Sequence, residues 1–454
     1  TTIGTDFFPT ADVGIIKLHY RAPAGTRLEV TEQRVLDVEK RIRQIIPPDE
    51  LQTINDVVGV PFSFNLALIP SDNVSSGDAE ILIQLRHGHR PSAEYIRAMR
   101  EQLPGSYPGS LFYFQTADVV SQVLNFGLSA PIDLQIRDAD FTRSYALAQR
   151  LLQAVQKIPG VADAHVAQIL DYPALAVEVD RLRAVQLGLT QKDVSNNLLV
   201  SLSSSSLVAP SYFLNPANSV NYFVAVRMPM EKVRNVYDMM DLSVGQPVVL
   251  PTLSTAAQLA AFPNAPVTRL SDVASVRPRS SYESISHYAV QRVVDVTANV
   301  SGRDLGGVTR DIQAVLADIG KGLPVTTHID IRGQPQVMQT SFTNLAQGLI
   351  IAVVLVYALL VVLFQSWVDP FIIMMALPGA LVGIVWMLAL SGTTINVESL
   401  MGTIMTVGIS VSNSILVVSF ANDVRARDSG ISPVAAAITA ARTRLRPILM
   451  TALA

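Results

Sequence analysis

The 454 residues contain no cysteine, which excludes disulfides and thiolate metal ligands but leaves the compartment open. There is no GxxxxGK[ST] loop to cradle phosphates, so direct ATP coupling is not expected from this chain. HExxH and GxSxG are also missing, and no other enzyme signature or cofactor motif stands in their place. Charge is scarce at 16% of residues, and a net charge of −3 gives no reason to expect nucleic acid as a partner.

What is present in excess is apolar. Hydrophobic residues make up 49% of the chain, and the mean hydropathy of +0.35 exceeds that of an ordinary soluble domain. Charges are evenly spread up to about Arg332 and then disappear from three long runs: Gly333 to Val368, Pro370 to Val397 and Ser399 to Asn422. Each is long enough to cross a hydrocarbon core of roughly 30 Å. Spans are expected at about 341–364, 371–391 and 399–422, with a fourth starting at Ile448. The chain starts without Met and stops inside an apolar stretch, so it reads as a fragment.

Arg425, Arg427, Arg442, Arg444 and Arg446 gather between the third span and the fourth, which by the positive-inside bias places that loop in the cytoplasm. Residues before the first span then face outward, into the periplasm of a bacterium. The QSWVDP link (Gln365 to Pro370) is expected on the cytoplasmic side with Trp367 at the interface. Ser432 to Ala441 reads as an amphipathic helix lying on the membrane.

The outer region alternates strands and helices. IIKLHY (Ile15 to Tyr20) reads as a strand, and Thr26 with Glu29 as a capping box for a helix whose Val35, Val38, Ile42 and Ile45 share a face. Ala79 to Leu85, Ser92 to Leu103 and Ser110 to Phe114 continue as strand, helix and strand. A second set follows: IDLQIRD, a helix from Tyr145 to Ile158 and ALAVEVD (Ala174 to Asp180), answered by Val293 to Val300, a helix from Asp304 to Ile319 and Val325 to Ile331. The fold class is therefore an α+β membrane protein. Two ferredoxin-like sandwiches occupy 1–130 and 131–180 with 276–332, a loop-rich insertion occupies 181–275, and a transmembrane helix bundle occupies 333–454.

Several phrases then carry a resemblance that covers the whole chain. FFPTADVG (Phe7 to Gly14), FQSWVDPF with LPGALVG, GISVSNSILVVSFAND and RTRLRPILMTALA, in this order and spacing, resemble the C-terminal half of a resistance-nodulation-division inner-membrane pump, in its AcrB-like hydrophobe/amphiphile branch. The resemblance implies that the sandwiches are porter subdomains and the insertion a docking subdomain. It implies a trimer in the bacterial inner membrane, homomeric or mixed, that meets a periplasmic adaptor protein and an outer-membrane channel. Such a pump exports amphiphilic small molecules against an inward proton flow.

Site residues carry over one by one. Arg444 and Thr451 match the family's Arg and Thr at the eleventh span, whereas its Lys on the tenth span is replaced here by Ser412, followed by Asn413. The expected proton relay is Ser412, Asn413, Arg444 and Thr451, with Ser412 and Asn413 supplying hydrogen bonds in place of charge. The other reading, that small polar residues let helices pack closely, stays open. Phe62 and Phe64 fall where the family keeps an aromatic switch loop, and Leu82 near another substrate-lining position; these can equally be core residues.

Heavy-metal export is one alternative, less favoured on the residues. His87 and His89 in RHGHRP read as an exposed turn rather than a metal site. Soft ligands are thin, with Met99 the only Met before Met228, and Met228 and Met230 read as packing within the insertion. A second alternative is an accessory membrane protein of the same superfamily that handles polypeptides.

Overall fold

The computed structural model describes residues 3–9, 12–61, 71–117, 122–123, 125, 127–245, 268–428 and 430–453. They form two compact units: Thr1–Leu170 with Tyr282–Ala454, and Asp171–Ser281.

The larger unit begins with a sandwich. Strand β1 (Ile15–Arg21) sends Ile16, Leu18 and Tyr20 to one face, all fully buried or nearly so, because side chains alternate along a strand. Helix α1 (Leu28–Ile45) covers that face with Thr31, Val35, Val38 and Ile42, spaced three and four apart. Strands β2 (Leu51–Val58) and β3 (Asp78–Leu85), helix α2 (Ser92–Ser106) and strand β4 (Leu111–Gln115) complete it. The strand order β2-β3-β1-β4, with antiparallel pairing, is that of a ferredoxin-like sheet. The expected capping box does not form: the Thr26 hydroxyl donates to the Pro23 carbonyl at 2.6 Å, and α1 starts after Arg27.

The second sandwich starts with β5 (Ile132–Arg137), α3 (Phe141–Val155) and β6 (Val161–Val166). Asp140 opens α3 by accepting from the amides of Thr142 and Arg143, so the helix begins before the expected Tyr145.

The chain then builds the smaller unit. It contains β7 (Tyr172–Val179), α4 (Arg181–Gln186), α5 (Gln191–Leu202), β8 (Ser211–Asn215), β9 (Val220–Val224), α6 (Val236–Met240), α7 (Leu270–Val273) and β10 (Ala274–Ser281). Its core gathers Ala184, Leu189, Val194, Met239, Leu242, Val244, Leu270 and Val273, with Met228 against it.

The larger unit resumes with β11 (Ser286–Tyr288), β12 (Gln291–Val300), α8 (Leu305–Gly320) and β13 (His328–Gly333). Strand β5 lies between β12 and β13, and β6 pairs with β12. The expected strand at ALAVEVD is not part of this sheet. That segment is β7, which pairs with β10 in the smaller unit, and the edge place belongs to VADAHV. Alternation shows that a strand has a buried face but not which sheet it joins. VADAHV hides its strand character through Asp163, which has φ 53° where the β6–β12 register shifts.

Strand β13 leads directly into α9 (Gln334–Phe364), followed by α10 (Val368–Met374), α11 (Ala376–Ser391), α12 (Val397–Arg427) and α13 (Pro433–Leu453). Among the described residues, three helical segments are long and apolar enough to cross a membrane: Gln334–Phe364, Val368–Ser391 and Val397–Arg427. Leu360, Ile373, Leu377 and Val411 pack between them. The surface helix expected at 432–441 and the span expected at Ile448 form one helix, α13, which continues through Pro447. Near the N-terminus, Asp6 donates its amide to the Ile395 carbonyl at 2.9 Å and accepts from the Leu305 amide at 2.8 Å, tying the α11–α12 loop to α8.

Candidate functional site

The faces of the two sandwich sheets that are turned away from their helices are polar. In the first sheet, Lys17, His19 and Arg21 of β1 alternate with the core residues, and β3 adds Asp78, Glu80 and Leu82. Register places Arg21 opposite Asp78, His19 between Glu80 and Tyr113, and Lys17 between Leu82 and Gln115. Leu82, expected to line an apolar site, is 37% exposed and stands among Lys17, Glu80 and His19.

This face meets the second sandwich. Tyr113 stacks on His19 at 4.4 Å and on His165 of β6 at 4.1 Å, forming an imidazole–phenol–imidazole column. Arg100 holds Asp163 with two hydrogen bonds at 2.9 and 2.6 Å, and Asn299 donates to the Phe114 carbonyl. Arg21 donates from a terminal nitrogen to the Ala167 carbonyl at 3.0 Å.

Asp78 is the centre of charge. Its side chain is fully buried and accepts from His19 Nε2 at 3.1 Å, Arg21 Nε at 2.7 Å, the amides of Val74 and Ser75, and the Ser75 hydroxyl. Burial alone would raise its pKa, but the His19 hydrogen bond and the Arg21 guanidinium hold it well below the usual carboxylate range. His19 Nε2 faces Asp78, and among the described residues its Nδ1 is buried without a hydrogen-bond partner. Both Glu283 carboxylate oxygens are likewise buried. Burial pushes the Glu283 carboxyl up; the Ser75 hydroxyl works against this, the charge of Asp78 adds to it and that of Arg21 opposes it.

The chemistry available is therefore an imidazole nitrogen and two carboxylates, a set that suits borderline divalent cations such as zinc, nickel and cobalt. Among the described residues no three His, Cys, Asp or Glu side chains are arranged to hold a metal ion. Arg21 supplies the positive charge on Asp78 in this structure.

The other expected site residues are placed as follows. Phe62, Phe64 and the Thr451 side chain lie outside the described residues. Asn413 lines a groove of about 330 Å³ with Ile372, Ser410, Ser414, Val417, Val418 and Ile448. Ser412, its neighbour on α12, is exposed instead. The Arg444 guanidinium lies over the Phe420 ring at 5.1 Å, and among the described residues its Nε is buried without a hydrogen-bond partner. His87 is exposed, and His89 Nδ1 donates to the Arg90 carbonyl at 2.7 Å.

Sequence reasoning missed His19, Asp78, Glu283 and Tyr113. The signal was available in β1, where Lys17, His19 and Arg21 put three polar groups on one face of a strand whose other face is core.

The sequence profile of the AcrB/AcrD/AcrF family matches residues 1–454. The nickel and cobalt resistance protein CnrA of Cupriavidus metallidurans is 27% identical over 462 aligned residues, taking in 100% of this chain and 40% of that protein. The cobalt-zinc-cadmium resistance protein CzcA of the same organism is 25% identical, over 99% of this chain and 40% of its own length. A crystal structure of a heavy metal efflux pump matches with a TM-score of 0.77 and 25% identity, over 99% of this chain and 43% of that one. The chain thus spans about 40% of the length of these curated relatives. These similarities overturn the expected hydrophobe/amphiphile branch and its amphiphilic substrates. The inference from missing soft ligands failed because borderline cations take imidazole and carboxylate and do not require methionine or cysteine.

Proposed function

The chain belongs to the AcrB/AcrD/AcrF family of resistance-nodulation-division efflux transporters, and from that premise we propose that it is part of a secondary transporter exporting divalent transition-metal cations. One observation carries the reading: the buried His19 imidazole meets the ionised Asp78 through Nε2 and, among the described residues, leaves its Nδ1 without a hydrogen-bond partner, at the contact between the two sandwiches. A route for amphiphiles needs broad apolar surface there, and the first sheet offers Lys17, His19, Arg21, Asp78 and Glu80. The names of the relatives support the same class of cargo.

In this proposal His19, Asp78 and Glu283 receive the cation when the sandwiches separate and Arg21 leaves Asp78. The cation replaces the guanidinium as the charge that balances the carboxylates. The spanning helices carry the driving proton flow, with Asn413 and Arg444 as hydrogen-bonding and charged members of its path. Assembly as a trimer in the inner membrane, with a periplasmic adaptor and an outer-membrane channel, belongs to the same proposal.

The test is growth of a metal-sensitive bacterium that expresses the full-length protein with its partners, on zinc, nickel, cobalt or cadmium. Tolerance to at least one cation is expected, and His19→Ala and Asp78→Ala should abolish it while the protein still reaches the membrane. Tolerance to a dye or detergent without any metal tolerance would refute the reading.

A further inference from the structure

The second sandwich holds a buried carboxyl that cation export does not use. On the sheet face turned away from α3 and α8, register puts Asp133 of β5 between Thr297 of β12 and Arg332 of β13. Gln135 stands between Asp295 and Asp330 in the same way. Asp133 is 1% exposed; its Oδ2 accepts from Gln135 Nε2 at 3.0 Å, and among the described residues its Oδ1 has no partner. Asp295 Oδ2 accepts from Gln168 Nε2 at 2.7 Å, and its Oδ1 has no partner either. Gln135 Oε1 is a third unpartnered acceptor.

The nearby cations are engaged elsewhere. Arg137 pairs with Asp330. His165 accepts a hydrogen bond from the Thr297 hydroxyl, and burial keeps the ring neutral. Arg332, directly opposite Asp133, stacks on the Tyr288 ring at 4.5 Å and donates to Gln336 Oε1 at 3.2 Å, while its Nε is buried without a partner. An ionised carboxylate at Asp133 would be buried with one hydrogen bond and no ion pair, the costly arrangement. A proton on Oδ1 removes that cost. Burial and the charge of Asp295 push the Asp133 carboxyl up to about 8, and burial raises Asp295 as well.

We propose that Asp133 is a proton-binding site in the second sandwich, and that loss of its proton to solvent through the partly exposed Asp295 draws the Arg332 guanidinium from Gln336 onto Asp133. Gln336 lies in the first turn of α9, and β13 enters that helix through Gly333 with no intervening loop. The protonation state of the sheet is thereby registered at the start of the first spanning helix. This inference does not depend on the substrate carried.

The experiment is infrared difference spectroscopy of the purified full-length protein without added metal, titrated from about pH 5 to about pH 10, following the stretch of protonated carboxyls. The wild type should lose a band with a midpoint near pH 8, and Asp133→Asn should lack it. Asp295→Asn should move the midpoint down by at least about one unit, because a negative neighbour is gone. Arg332→Gln should move it up. A midpoint near the ordinary carboxyl value of about 4, or one unmoved by both neighbour substitutions, would overturn the proposal. So would a divalent cation that copurifies with the wild type and is lost in Asp133→Asn, since the free oxygens would then hold a metal. Metal tolerance of the host decides the export reading separately.

Discussion

Arg21 donates from Nε to Asp78 Oδ1 at 2.7 Å, with the guanidinium side chain 8% exposed and the carboxylate fully buried. A cation arriving at Asp78 and His19 must compete with this internal one. Arg21→Gln in the full-length protein should therefore tighten zinc or cobalt binding about tenfold, read by titration calorimetry. The same change should destabilise the metal-free protein by about 3–5 kcal/mol in thermal unfolding, because it leaves a buried charge uncompensated. Loss of stability without any gain in affinity would remove Asp78 from the path of the cation.

His165 gives the contact between the sandwiches a pH dependence. Its Nδ1 donates to the Asp163 carbonyl at 2.8 Å, its Nε2 accepts from Thr297, and burial lowers its pKa to about 4. An unfolded histidine titrates near about 6.5. Between these values the unfolded chain binds a proton that the folded one refuses, so the contribution is full above about pH 6.5 and is lost as pH falls towards 4. Asp133 acts in the opposite sense, because the folded state holds its proton up to about pH 8. His165→Gln should melt with a shallower loss between about pH 6.5 and about pH 4.5 than the wild type, measured by scanning fluorimetry. Equal slopes would mean that burial in the fold does not lower the His165 pKa.

Asn413 and Ser412 adjoin in sequence but not in surroundings. Asn413 faces the groove it shares with Ser410, Ser414 and Ile448, and Ser412 is exposed on α12. If the proposed function holds, Asn413→Ala should slow transport by the intact pump severalfold, and Ser412→Ala should leave it close to the wild type. Equal and large losses from both would show that Ser412 meets a residue contributed by another part of the pump.

The strength of each signal explains what could be read in advance. Charge-free runs marked the three long apolar helices, because a spanning helix tolerates few ionised groups over its length. The period-two pattern of Ile16, Leu18 and Tyr20 marked β1. Failures came where the signal is local and the outcome is not. ALAVEVD has a strand's alternation, but its partner, β10, lies about a hundred residues further on. VADAHV carries too many small and acidic residues to announce a strand.

The candidate site was harder to read than the fold. His19, Asp78 and Glu283 are widely separated in sequence, and only β1–β3 pairing and the return of the chain after β10 bring them to one interface. No compact motif marks such a set. Soft ligands mean sulfur, while the donors present are nitrogen and oxygen on the off-core face of β1 and β3 and in the link between β10 and β11.

The junction between sheet and membrane helix tolerates only glycine. Gly333 has φ 82° and ψ −151°, a region open to glycine almost alone. A Cβ there would lie 2.3 Å from the Pro131 carbonyl oxygen, which also accepts the Gln334 amide at 2.9 Å. That acceptor is backbone, so it cannot rotate away as a flexible side chain would. Gly333→Ala must therefore break the Gln334 bond, twist β13 or bend the start of α9. The backbone strain alone costs about 1–3 kcal/mol, and the clash adds to it. Gly320→Ala, at the end of α8 with nothing within 4 Å, is the control and should be neutral or slightly stabilising. Gly333→Ala should lower the melting temperature and also reduce transport measured on the fraction that remains folded, because Arg332 and Gln336 lose their shared geometry. A Gly333→Ala protein with wild-type melting and transport would show that the β13–α9 corner is free to relax.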